Sequence, residues 1–356
     1  MRDNNNIPED EAVIEYAEWI KPVPLDWLWW HKIPLGKLTL LVGDPTVGKG
    51  MFAIYVAAQI TRGANWPDQP GIKEAPGSVI IMSTEDAWDD TIVPRLIASE
   101  ADLSKVCNIK VQKHYSEDDY EHLPIYDLAA NVHVLEKAVR RLEDVKLVIL
   151  DPITAYMGKG KSGNSNEDVR VFCAPLTELA NEYRFSILGI SHLNKKPDVQ
   201  AAYRTLGSIG WTATARAIWF VAKDTEDDEK RYLLPCGGNL GPKPTGLMYK
   251  VVEEVVYSNE GPIEIGKCVL EPDEVNITPD EVMAGKTVVS MKERAMEWIR
   301  DELKRGPVAA IEMKDKGEIE GINKKTLERA KRELGVKSYQ VRESGKLNKW
   351  MWELGN

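Results

Sequence analysis

Apolar residues fall into two kinds of run along this chain. Residues 38–42, 78–83, 147–150 and 186–191 are short and almost wholly apolar, the make-up of strands covered on both faces of a parallel sheet. Between them the spacing turns helical: residues 51–60, 133–142 and 169–183 place apolar positions three and four apart. Residues 106–111 are predicted as a further strand, and 217–222, 232–234 and 248–257 as later ones. Strands alternating with helices predict an α/β fold with a largely parallel central sheet. Residues 1–24 read as an irregular arm and 25–270 as the core. Residues 271–287, rich in proline and carboxylate, read as a linker. Helical spacing returns at 291–304, 309–317 and 324–334, and alternation at 338–341 and 349–353 predicts a hairpin around Gly345. Three helices and a hairpin predict a winged helix-turn-helix domain over 288–356.

Charge sharpens the division. The chain has 56 Asp and Glu against 46 Lys and Arg, a net −10. Residues 288–356 hold 16 Lys and Arg and 12 Asp and Glu, a net +4 that leaves −14 on residues 1–287. A basic module on an acidic body argues against nucleic acid coating the whole surface and leaves room for a local basic site. Cys107, Cys173, Cys236 and Cys268 have no CxxC spacing and no histidine at metal-ligand spacing, which predicts reduced thiols and a cytoplasmic setting. No apolar stretch approaches the ~20 residues that span a bilayer, and the acidic, polar start lacks the make-up of a signal peptide.

The candidate chemistry sits at the tips of the apolar runs. After residues 38–42 come Gly43, Asp44, Pro45, Thr46, Val47, Gly48, Lys49, Gly50 and Met51, a G-x-x-x-x-G-K loop between strand and helix. Its N–H groups and the helix N-terminus suit phosphates, and Lys49 supplies a charge for the β and γ groups of ATP. Gly50 stands where Ser or Thr usually ligates Mg2+, so the metal must take a water or lean on a group such as Thr46. Asp151 ends one apolar run and Glu85 follows another; these are the candidate metal carboxylates. Glu85 is also the candidate to polarise the attacking water, with Asp86 as its rival. His192, at a third strand tip, is a candidate γ-phosphate sensor or a structural histidine. The Trp27–Trp30 cluster either packs the first strand or forms a shelf for a base. In the tail, Lys324, Lys325, Arg329 and Arg332 lie on one helix with Leu327, Ala330 and Leu334 facing inward, a candidate DNA-recognition helix.

From Pro34-Leu-Gly36 to Asn239-Leu-Gly-Pro242, the chain resembles the RepA-type branch of RecA-like AAA ATPases, which accompany plasmid and phage replication genes. The likeness is carried by Gly43–Lys49, Ser83-Thr-Glu-Asp86, Pro94-Arg95-Leu96, Leu150-Asp-Pro-Ile153, Ser191-His-Leu-Asn-Lys195 and Ala215-Arg-Ala217. The resemblance implies a hexameric ring with ATP between subunits. It implies an arginine finger at Arg216, which from the residues alone reads equally as a surface ion pair, with Arg204 as second candidate. It also implies channel-facing loops that track single-stranded DNA through Lys159, Lys161, Lys195, Lys196 and Arg204. The family's lysine before Asn-Leu-Gly is replaced here by Gly237-Gly238. The expected function is therefore ATP-driven work on DNA in replication of a plasmid, phage or mobile element, as a hexameric helicase. The alternative is a nucleotide-gated DNA-binding or helicase-loading factor with weak turnover, favoured by Gly50 and Gly237.

Overall fold

The structure, a computed structural model, describes residues 14–355 apart from 70, 72–74, 115–119, 124–126, 193–207, 242–243, 286–287 and 342–348. In chain order its elements begin with a small hairpin, β1 (Trp27–Trp29) and β2 (Ile33–Pro34). Then come β3 (Leu38–Gly43), α1 (Lys49–Arg62), β4 (Ser78–Ser83), α2 (Val93–Ala98), β5 (Val106–Cys107), β6 (Val111–His114) and β7 (Tyr120–Leu123). The next group is α3 (Val132–Leu142), β8 (Val145–Asp151), α4 (Asn166–Tyr183), β9 (Ser186–His192), α5 (Ile209–Thr214) and β10 (Ala217–Lys223). Three long strands follow, β11 (Lys230–Gly238), β12 (Gly246–Ser258) and β13 (Gly261–Val275). The chain closes with α6 (Pro279–Met283), α7 (Met291–Leu303), β14 (Val308–Ala309), α8 (Ala310–Ile319), α9 (Lys324–Glu333), β15 (Lys337–Val341) and β16 (Lys349–Glu353).

Nine strands form one sheet in the order β13-β12-β11-β10-β3-β9-β8-β4-β5. From β10 to β5 every pairing is parallel, and β11 to β13 extend the sheet antiparallel. The runs at β3, β4, β8 and β9 are apolar throughout because both faces are covered. Leu40, Ile80, Val148 and Ile187 face α3 and α4 in one core. Their alternates Leu41, Ile81, Ile149 and Leu188 face α1 in the other. Each such side chain, fully buried, is worth about 1.5–3 kcal/mol. The fold is α/β with a RecA-like P-loop core.

Two expectations are corrected. The stretch predicted as one strand over 106–111 is β5 plus the start of a separate hairpin, β6–β7. Residues 271–287 do not form an open linker from their start: β13 runs to Val275 and α6 follows, its Thr278 and Glu281 closing a capping box. Residues 291–354 have their own small core, in which Ile299, Met313, Leu327, Ala330 and Trp352 meet under a three-stranded sheet of β14, β16 and β15.

Candidate nucleotide site

Parallel register brings the predicted site residues to one edge of the sheet. Gly43 at the end of β3 lies beside His192 at the end of β9, and Asp151 at the end of β8 lies beside Ser83 at the end of β4, with Glu85 and Asp86 just beyond. Ligands of open α/β sheets sit outside these carboxyl ends. The loop between Gly43 and α1 needs its glycines. A side chain at Gly43 would meet the Val221 carbonyl oxygen at 2.4 Å, and Gly48 has a left-handed φ of +93°.

Lys49 is 4% exposed. Its Nζ donates to the carbonyls of Gly43 (2.9 Å) and Asp44 (2.7 Å) and lies 3.2 Å from His192 Nδ1. Burial lowers its pKa to about 8, against the opposing pull of Asp151, Asp44 and Glu85. An ammonium offers only donors, so His192 Nδ1 accepts from it and the ring proton sits on Nε2. That nitrogen faces Glu85 Oε1 at 3.4 Å. The predicted phosphate lysine, sensor histidine and water-polarising carboxylate thus form one chain of polar contacts.

Asp151 is pushed up to about 7, first by burial and then by the charges of Glu85 and Asp86, with Lys49 and Arg95 pulling the other way. A Cβ built on Gly50 would lie 3.5 Å from Asp151 Oδ2 and 3.8 Å from Asp86 Oδ2, so two carboxylates face the place where the usual hydroxyl is missing. Among the described residues no group of three or more His, Cys, Asp or Glu could hold a metal unaided. Magnesium commonly takes one or two carboxylates and completes its shell with water and nucleotide phosphate, so Asp151 with this neighbourhood fits it.

Several contacts here were not foreseen. Arg95 Nη1 holds Asp86 Oδ2 at 2.6 Å, which leaves Glu85, half-exposed and facing His192, as the better placed of the two rivals. From the antiparallel extension, Arg231 Nε donates to the Val47 carbonyl at 3.0 Å and Tyr249 approaches the Gly48 carbonyl at 3.4 Å, bracing the loop from outside. No local pattern marks either residue; only the pairing of β11 and β12 with the sheet brings them there.

Arg216 lies at the opposite edge. Its N–H donates to the Leu38 carbonyl at the start of β3, about five residues or roughly 17 Å from the loop of the same chain. Its side chain donates to the Ala213 carbonyl and lines a cavity of about 300 Å³ with Trp27, His31, Trp219, Pro235 and Gly237. Of the Trp cluster, Trp29 is buried and stacked on Trp66 at 4.2 Å, a packing role, whereas Trp27 borders the cavity. Lys159 is exposed, but Lys161 pairs with Asp127 at 3.5 Å. Their loop is tied down by Ser162 N–H to Asp168 and by Trp211 Nε1 to the Gly163 carbonyl. Lys195, Lys196 and Arg204 lie outside the described residues. Of the four tail candidates, Lys324 and Arg332 are exposed, while Lys325 and Arg329 bond to the main body.

A phosphate loop on a parallel sheet with an acidic strand tip beside it defines a RecA-like P-loop ATPase core. Residues 8–198, more than half of the chain, match the AAA domain family, and the protein belongs to that family. It is similar to replicative DNA helicase DnaB of Synechocystis sp., 26% identical over 189 residues, which is 48% of this chain and 20% of that relative. The chain therefore spans about a fifth of the length of DnaB. Among the described residues no helix is long and apolar enough to cross a membrane.

Proposed function

We propose that the protein is an ATP-hydrolysing, ring-forming DNA translocase of the RepA type, acting in replication of a plasmid, phage or mobile element, with a winged-helix tail over residues 288–356 that grips duplex DNA. One observation carries the ring: Arg216 sits at the far edge of the sheet from its own phosphate loop. A guanidinium there is out of reach of its own nucleotide, so as an arginine finger it would act on one held by a neighbouring copy, where it would stabilise charge on the phosphoryl oxygens. Within one subunit, Lys49 and the loop N–H groups would bind phosphate, Asp151 would hold the magnesium shell, and Glu85, oriented by His192, would take the proton of the attacking water. Magnesium, when bound with ATP, neutralises charge on the phosphates. DnaB is by name a replicative DNA helicase, which supports DNA as the partner.

The test is ATP hydrolysis with and without single-stranded DNA, for the parent, Lys49→Ala and Glu85→Gln. DNA-stimulated turnover that both variants lose supports the motor. ATP binding with turnover no higher than in the variants favours the second reading, a nucleotide-gated loading factor, which the absent hydroxyl at Gly50 supports.

A further inference from the structure

The basic helix of the tail is turned toward the main body. Arg329 Nη1 donates to the Pro272 carbonyl at 2.6 Å and Nη2 to Asp273 Oδ1 at 2.6 Å. Lys325 Nζ donates to the Asp68 carbonyl at 2.9 Å, and Asn323 to Glu274 at 3.3 Å. From α7, Lys292 reaches the second oxygen of Asp273 at 3.5 Å. Asp273 is 8% exposed, so two cations share one largely buried carboxylate. That differs from a screened surface pair, whose worth is near zero. The Asp68 carbonyl is itself fixed, because its carboxylate holds Lys32 at 2.8 Å and Trp29 Nε1 at 3.0 Å.

These partners offer a guanidinium and an ammonium oxygen acceptors at charge-assisted bonding distance, and the Asp273 carboxylate offers Arg329 the anionic oxygen that a DNA phosphate would. The charge balance agrees, with a net +4 tail lying on a net −14 body. We propose that docking of α9 on β13 and gripping of duplex phosphates by α9 are mutually exclusive, so that the body acts as an internal competitor for the tail's DNA site. In the closed form Lys325 and Arg329 are occupied, and Lys324 and Arg332 alone face outward. Release frees all four. This inference rests on the reading of the tail as a duplex-binding module.

The test uses the full chain and its Asp273→Asn and Arg329→Ala variants. Duplex affinity is read by fluorescence anisotropy, tail release by small-angle scattering, and ATP binding serves as the fold control. A closed form that leaves about a tenth of molecules open weakens DNA binding about ten-fold. Asp273→Asn should therefore expand the particle and tighten duplex binding by up to about that factor. Arg329→Ala should also expand it, but with weaker duplex binding, because the lost side chain belongs to both contacts. Expansion of Asp273→Asn without tighter binding, or no expansion in either variant, overturns the competition. If no variant binds duplex while scattering still reports release, the DNA reading of the tail is what has failed, and the competition falls with it.

Discussion

Replacing Gly50 separates the two functional readings. Beside this glycine is a pocket of about 10 Å³ lined by Ala53, Ile54, Ile81, Asp86 and Asp151, about one water's worth of room. The nearest atoms to an added Cβ are at 3.5–3.9 Å, ordinary van der Waals contact. Gly50 lies in the first turn of α1, where Ala in place of Gly gains up to about 0.5–1 kcal/mol. Gly50→Ala should therefore raise Tm by about 1–2 °C. In Gly50→Ser the hydroxyl stands one bond beyond Cβ, within reach of Asp151 or Asp86, and adds about 0.5–1.5 kcal/mol. A donor on Asp151 also favours its charged form and pulls its pKa down from about 7. The difference between Ser and Ala isolates the hydroxyl. Calorimetry gives the stability, and magnesium titrations of ATP hydrolysis give the function: Ser should reach half-maximal turnover at lower magnesium than Ala. A fall in Tm for Gly50→Ala would refute the room inferred beside Asp151. Identical magnesium dependence for Ser and Ala would show that the absent hydroxyl does not limit the metal, and would remove the main support for a non-motor protein.

Gly43→Ala forces a Cβ against the Val221 carbonyl and should cost about 3 kcal/mol or more, seen as a Tm drop without any change in oligomer size. The carboxyl of Asp151 is raised from 3.8 to about 7, so it favours the folded state fully below pH 3.8 and loses that contribution as pH rises through 7; Asp151→Asn should flatten the stability profile between pH 4 and 7 and be the more stable protein at pH 8, which chemical denaturation measures. Arg216→Ala mixed with Lys49→Ala should recover turnover at interfaces that pair an intact loop with an intact Arg216, whereas either variant alone stays inactive; no recovery on mixing would place Arg216 outside the neighbour's site.

The parallel strands were legible because burial on both faces writes an unbroken apolar run, and the phosphate loop was legible because glycines and Lys49 are required at fixed spacing. Of the antiparallel extension, residues 232–234 of β11 and 248–257 of β12 were legible as strands, but β13 was not. β13 carries Pro262, Pro272, Glu264, Glu271, Asp273 and Glu274, a composition that reads as loop or linker. It is tolerated because β13 is the outermost strand of the sheet, where a missing N–H and charged side chains meet no further ladder. The docking of α9 was hidden for a different reason. Arg329 and Lys325 would have the same helical spacing whether they faced phosphate or Asp273, and spacing cannot distinguish the two partners.

The same edge strand that escaped the sequence reading joins the two halves of the molecule. Gly266, on β13, admits Met51 of α1 so closely that an added Cβ would lie 2.7 Å from the Met51 methyl. Seven residues on, Asp273 of that strand holds Arg329 and Lys292 of the tail. The helix that begins at the phosphate lysine and the helix that carries the tail's cations therefore rest on one strand, paired to β12 except at a bulge that holds Pro272 and Asp273. A shift of α1 when phosphate enters the loop would reach β13 at Gly266 through the Met51 side chain. Gly266→Ala is then a probe of more than packing. If the strand transmits strain, the variant should loosen the tail in scattering experiments even with Asp273 and Arg329 intact. If only local stability falls, the two contacts are neighbours on a strand and nothing more.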